Sequence, residues 1–204
     1  MDDKQRRVIR VRLALRTLAF VGMVVIAAQI ATYSYLAKQE VAGTLWYREA
    51  LEADGLSIAA QRPNTWSLQL TSTSPEIRIE FTGPAGVGGQ LVGSKGALAA
   101  LPVLEEADLQ KLTERVHKAM ASRLLTGYSS LKEDAPELAT ALETPGLVSF
   151  FDAKLDGTSC RGVRYSWVDN DRAWGLVLAS PDNKWEESVP VFSRITGRLK
   201  VTSR

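Results

Sequence analysis

GPAGVGGQLVGSKGA, Gly83 to Ala97, is where this 204-residue chain comes nearest to a motif that does chemistry. A phosphate-cradling loop needs GxxxxGK followed by Ser or Thr, because the lysine must reach the phosphates and the hydroxyl the metal. Gly88 and Gly93 have that separation, but Ser94 and Lys95 follow in the reverse order. The dinucleotide fingerprint also fails: Gly86 and Gly88 fit GxGxxG, and Leu91 stands where the third glycine is required. The segment is therefore expected to be a flexible loop or one ordered by a partner.

His117 is the single histidine and Cys160 the single cysteine. Zinc sites announce themselves with two or more Cys or His at set spacing. A lone histidine beside Val116 on a helix flank reads instead as a surface or boundary residue. No GxSxG elbow surrounds any serine. One cysteine excludes an intramolecular disulfide, and Cys160 reads as a small buried apolar residue. Asp169-Asn170-Asp171 begins like a calcium loop, but Ala173 and Trp174 follow where the pattern needs its next ligand and glycine. A hairpin turn is expected there. The adjacent carboxylates Glu105/Glu106 and Glu186/Glu187 diverge on a helix or a strand and read as solvated faces. No catalytic residue, metal ligand or cofactor is expected, and the chain does not read as an enzyme.

The elements around these residues explain where such a chain would work. Thr17 to Ala37, TLAFVGMVVIAAQIATYSYLA, is 21 residues without a charge. As a helix it would span about 31 Å, close to the thickness of a bilayer's hydrocarbon core. A secretory signal has a shorter apolar region ending in small residues at the cleavage point; here Val25-Ile26-Ala27 falls in mid-run and Thr32-Tyr33-Ser34 carries a bulky ring. The run therefore reads as a permanent single-pass anchor. Arg6, Arg7, Arg10, Arg12 and Arg16, together with Lys4, precede it, and only Lys38 and Arg48 follow within about fifteen residues. Cations near a span stay cytoplasmic, so residues 1–16 are expected to form a cytoplasmic tail at the inner membrane and the rest to lie in the periplasm. Tyr33, Tyr35 and Trp46 suit the outer interfacial belt. Ala27, Ala31 and Ser34 share one helical face on which a partner helix could approach, and Gln29 could bond across it.

Charge follows the same division. Residues 1–37 hold six cations and two acids, and the remainder holds 19 cations and 21 acids. The basic pI of about 8.7 belongs to the tail, which removes the argument for a nucleic-acid partner.

Beyond the run, residues 38–55 read as a helical extension on Val41, Leu45 and Leu51, with Gly55 as its stop, and 56–204 as one extracytoplasmic domain. TWSLQLTS and EIRIEFTG alternate apolar and polar residues and predict strands joined by a turn at Ser72–Pro75. Pro102 to Gly127 predicts a helix with Leu109, Leu112, Val116, Met120 and Leu124 on its apolar face. A shorter helix is expected from Asp134 to Glu143. LVSFFDAKL, SCRGVRYSWV, AWGLVLAS, ESVPVFSRI and GRLKVTS then read as an antiparallel meander. The expected fold is α+β, an antiparallel sheet with two helices on one face.

These features predict a non-catalytic subunit or assembly factor of a larger membrane complex, of respiratory, photosynthetic, secretion or division type. Its expected partners are the lipid bilayer and other subunits, met through the anchor and the exported domain. An extracytoplasmic ligand- or signal-sensing module is the alternative, weakened by a short tail with no domain to receive a signal. An envelope enzyme assembled from scattered residues is the third reading. The C-terminal segment carries Arg194, Arg198, Lys200 and Arg204 without an acid, and suits lipid headgroups, an acidic partner or solvent equally.

Overall fold

The computed structural model describes residues 44–99, 109–141, 144–169 and 171–203. Asp54-Gly55 sets its first feature. Both residues take left-handed backbone, φ 50° and 76°, the conformation of a two-residue type I′ hairpin turn. The turn joins strand β1 (Trp46–Ala53) to β2 (Leu56–Pro63), and β11 (Lys200–Ser203) pairs with the other side of β2 to complete a three-stranded sheet. The helix expected over residues 38–55 is thus a strand in its described part. Gly55 ends an element, as expected, but as half of a hairpin turn.

The larger sheet has eight strands. β3 (Ser67–Thr73), β4 (Glu76–Thr82), β5 (Gly88–Ser94), β10 (Arg172–Pro181), β9 (Thr158–Asp169), β8 (Thr144–Leu155) and β6 (Tyr128–Glu133) lie side by side in that order, and β7 (Glu137–Ala141) also pairs with β8. Every pairing is antiparallel. The alternating strands expected around Trp66–Ser72 and Glu76–Gly83 are present as β3 and β4, and the meander of the last third is present as β8, β9 and β10.

Gly83–Ala97 is corrected. Its middle, Gly88–Ser94, is β5, a central strand between β4 and β10; its last residues begin a short helix, and the loop is confined to its first residues. Its glycines serve close packing. A Cβ at Gly89 would stand 2.0 Å from the Val177 carbonyl oxygen, and one at Gly93 would stand 2.4 Å from the Trp174 ring. Ser94 then caps a short helix, α1 (Lys95–Ala99), its Oγ accepting from the Ala97 amide at 3.1 Å.

Two further expectations are overturned. Residues 137–141 form β7 rather than helix, because their backbone pairs with β8 from Glu137↔Val148 to Ala141↔Thr144. ESVPVFSRI is helix α3 (Trp185–Arg198), not strand. Its buried Ser188, Phe192, Ile195 and Thr196 recur at helical spacing, and that period outweighs the strand preference of Val189 and Val191.

Helix α2 (Leu109–Leu124) matches the described part of the long helix expected from Pro102. Its Val116, Met120 and Leu124 pack on Val92, Val177 and Phe151. Phe192 and Ile195 of α3 pack instead with Trp167, Trp174 and Leu176, and the small sheet adds Leu56 and Ile58. Because Ala173, Val177 and Ala179 of β10 belong to the first cluster and Trp174, Leu176 and Leu178 to the second, the helices cover opposite faces. The expectation of two helices on one face is not met, because the second of them, Asp134 to Glu143, holds β7, and the helix on the other face, α3, was expected as a strand. Arg172, at the start of β10 and 1% exposed, reaches the Asp54 carboxylate and so links the two sheets.

Candidate functional site

His117 lies within the stripe by which α2 meets the sheet, one residue after Val116 and three before Met120. It is 4% exposed, so the surface or boundary placement expected for it is wrong. Below it, β9 alternates Cys160, Arg164 and Ser166 toward α2 with Val163 and Trp167 toward α3, and β8 offers Ser149 directly opposite Arg164. The helix therefore lands on a polar strip inside the core.

The strip is closed by hydrogen bonds. His117 Nδ1 lies 3.0 Å from Ser166 Oγ, and Nε2 lies 3.0 Å from Ser149 Oγ. Ser149 Oγ donates to Glu133 Oε1 at 2.5 Å. Arg164 Nε and Nη2 reach the same oxygen at 2.8 and 2.7 Å, and Nη1 donates to the His117 carbonyl at 2.6 Å. A hydroxyl has one proton. Ser149 gives its proton to Glu133, so it must accept from Nε2–H; a ring with that single proton accepts from Ser166 at Nδ1. Burial pushes the Glu133 carboxyl up. The bonds from His117, Arg164 and Ser149, with the guanidinium's charge, outweigh it and bring the value down to about 2.

Ser, His and Glu in contact invite comparison with a nucleophile and its base. Toward Ser149 the proton runs the wrong way, because Nε2 donates to that hydroxyl. Ser166 has the right relation to Nδ1, but it is fully buried and does not line the cleft described next. The arrangement fastens α2 to the sheet through fully used groups. Arg164 and Ser166 carry no sequence signal of this role, because polar residues that alternate along a strand look the same whether they face water or a buried histidine.

Past the C-terminus of α2 the same sheet face is uncovered and forms a half-open cleft of about 760 Å³. Arg78, Glu80 and Thr82 of β4 line one side, Tyr128 and Leu155 the other, and Val177 lies in the floor. The described remainder of the glycine-rich loop forms its rim, with Ala85 at φ 55° and Gly86 at φ 79°. Arg78 is held by Gln90 and by Glu76, the latter at 2.8 Å. Gln90 also donates to the Leu124 carbonyl at the end of α2, at 2.9 Å. Burial pushes the Tyr128 phenol up to about 12, with the nearby Cys160 adding to it. Burial likewise raises the Cys160 thiol, as do the charges of Asp182 and Asp152, against one backbone hydrogen bond. A neutral thiol is a poor nucleophile. Cys160 is buried, as expected, and the cleft offers shape and hydrogen bonding rather than an activated group.

Of the residues singled out in the sequence, Arg6, Arg7, Arg10, Arg12, Arg16, Ala27, Gln29, Ala31, Tyr33, Ser34 and Tyr35 lie outside the described residues. Trp46 opens β1, its ring beneath the Arg194 guanidinium. Asp169 ends β9 opposite Arg172, and Asp171 lies in the β9–β10 hairpin turn, as expected. Among the described residues, no helix is long and apolar enough to cross a membrane. Among them too, no group of three or more His, Cys, Asp or Glu side chains is placed to hold a metal ion.

No protein-family model matches the chain, and no curated protein matches it. Solved structures do. LpqN of Mycobacterium tuberculosis, described as involved in cell envelope biogenesis, aligns at 12% identity and a TM-score of 0.41, over 82% of this chain and 95% of that one. The solution structure of cyanobacterial PsbP (CyanoP) from Synechocystis sp. aligns at 10% identity and a TM-score of 0.53, over 77% of this chain and 92% of that one. At such identity the likeness is one of fold, and the α+β fold described here is similar to that of cyanobacterial PsbP.

Proposed function

We propose that the chain is a non-catalytic, membrane-tethered accessory subunit whose α+β domain works outside the cytoplasm, docked on larger membrane partners. The observation that carries this reading is the enclosure of His117. The only side chain whose ordinary pKa suits proton transfer near neutrality has both ring nitrogens engaged by buried serines. The domain's fold is similar in outline to that of cyanobacterial PsbP over 92% of that chain. Thr17 to Ala37 supplies the tether, with Arg6 to Arg16 on the cytoplasmic side.

Mild-detergent extraction, native sizing and mass spectrometry of co-purifying chains test the proposal. A particle larger than the 22.3 kDa chain plus its micelle, with recurring partners, supports it; a lone chain overturns it. Replacing Ala27, Gln29 and Ala31 with Leu keeps the run apolar while removing close helix approach. The lost interhelical bond of Gln29 is worth about 0.6–2 kcal/mol, enough to lower partner recovery several-fold while membrane fractionation persists. Unchanged recovery would make the run a tether alone.

The cleft favours a second reading, a ligand-sensing domain, since its volume falls in the range of about 300–1,000 Å³ common to small-molecule sites. Thermal-shift screening of the purified chain separates the two: specific stabilisation by a small molecule would move the sensing role ahead.

A further inference from the structure

The end of the small sheet at which the domain begins is apolar, aromatic and basic at once. Leu45 is 64% exposed and Tyr47 50% exposed. Their backbone is nonetheless held, because the Asn64 amide donates to the Leu45 carbonyl at 2.8 Å. Arg194 stands over the Trp46 ring, 4.3 Å from its centroid, and Arg62 over Tyr47 at 5.4 Å. Arg48 is exposed two residues along β1, Arg198 is exposed one turn after Arg194, and Lys200 is exposed where β11 starts beside β2. Glu49 is engaged by Arg62. The fold has thus gathered cations from β1, β2, α3 and β11, far apart in sequence, around two rings and an exposed leucine.

A bilayer's interfacial zone suits this combination. Trp and Tyr sit at headgroup level, apolar side chains just below, and Lys and Arg against anionic phosphates. The described domain starts at Thr44, and the six residues between it and Ala37 give a tether of at most about 25 Å. An acidic protein would use the cations but gives no reason for Leu45 and Tyr47 to be bare. We propose that this end of the domain rests on an anionic lipid surface, with Leu45 and Tyr47 at the headgroups and Arg48, Arg198 and Lys200 facing phosphate. The inference rests on the proposed tether only for the nearness of the bilayer.

Full-length chain in nanodiscs tests it with two single-cysteine labels, Gly197→Cys and Asn183→Cys, at opposite ends of α3 and about 20 Å apart. Both positions are exposed, a Cβ at Gly197 meets nothing within 4 Å, and the native Cys160 is buried. In discs containing phosphatidylglycerol, headgroup spin labels should quench the label at 197 at least about threefold more than the label at 183, falling with salt. Pure phosphatidylcholine discs should lose most of the difference. So should the variant Arg48→Glu/Arg198→Glu/Lys200→Glu, which changes only exposed side chains. Equal quenching at both positions, or quenching at 197 indifferent to lipid charge and to the triple change, overturns the proposal. A chain extracted from membranes by alkaline carbonate indicates failure of the tether instead; a retained chain with an unquenched label at 197 indicates failure of this inference alone.

Discussion

Beneath α2 the large sheet presents Ser149, Arg164 and Ser166 to a histidine; beneath α3 it presents Trp167, Trp174 and Leu176 to Phe192 and Ile195. One strand supplies both. β9 sends Arg164 and Ser166 one way and Val163 and Trp167 the other. The α3 face is stabilised by area removed from water, which is large but tolerant of small shifts. The α2 face depends on bonds with direction, which define one position for the helix and are costly when only partly satisfied. Two adjoining cores in one domain should therefore fail in different ways.

The largest expected effect is on the dry face. Trp174 is fully buried and stacked on Trp167 with centroids 6.1 Å apart, and its Nε1 donates to the Asp169 carbonyl at 3.0 Å. Trp174→Ala should cost about 3–5 kcal/mol, read as a lowered urea midpoint. The space left beside Gly93 offers partial rescue. Adding Gly93→Ala to the variant should restore some stability, whereas alone it should destabilise, since its Cβ would stand 2.4 Å from the ring.

On the wet face the loss should come from stranding a charge rather than opening a cavity. Glu133→Gln leaves the Arg164 guanidinium, 2% exposed, without its counter-charge. A cost of about 3 kcal/mol is expected, the low end for a broken buried pair because Glu133 is partly open to water. Replacing both partners, as Glu133→Leu with Arg164→Met, should be milder than the single change. If the double variant is the worse one, the contrast between the two faces is wrong.

Acid should sharpen the same contrast. The folded value of Glu133, about 2, lies below its ordinary 4.5. The stabilisation is therefore complete above pH about 4.5 and is lost as pH falls from there through about 2. Screening of a carboxylate partly open to water holds the contribution of this shift below about 3 kcal/mol. Urea midpoints of the parent chain should fall across that window, amide protons of α2 should lose protection before those of α3, and Glu133→Gln should remove this component.

How far the sequence could be read follows from the same division. β3 and β4 were legible because one side of each is wetter than the other, so alternation survives in the residue types. β8 to β10 were legible from their turns and β-rich runs. α3 is hard to tell from strand in sequence because Val189, Pro190 and Val191 look like strand, while the stripe Ser188, Phe192, Ile195 has few members. β1 and β7 were misread because short segments at a sheet's margin owe their conformation to a partner strand that no local pattern names. Asp54-Gly55 was the available signal for the first hairpin. The polar strip was not legible, because Arg164 and Ser166 look the same in sequence whether they face water or His117. The cleft is half visible: the glycine-rich segment resembles motifs whose chemistry it lacks, and its first residues do form a rim.

The smallest expected effect separates the two serines that hold His117. Ser149 accepts from Nε2–H and donates to Glu133, so Ser149→Ala removes two bonds and leaves a buried N–H unmet. Ser166 only donates to Nδ1, so Ser166→Ala leaves one ring lone pair unmet. A hydrogen bond's net worth is about 1 kcal/mol, and an unmet buried group costs about 1–3 kcal/mol. Ser149→Ala should therefore lose about 2 kcal/mol and Ser166→Ala about 1. Nitrogen NMR of the histidine ring provides the independent check, since a protonated Nε2 and a bare Nδ1 resonate far apart. The parent chain should show the Nε2–H form with a slowly exchanging ring proton. In Ser166→Ala that form should persist, because Ser149 and Glu133 still accept along the chain of bonds. In Ser149→Ala the ring should lose its tautomeric preference or its slow exchange. An Nδ1–H ring in the parent would reverse the proton's direction at both serines and, with it, the order of the two costs.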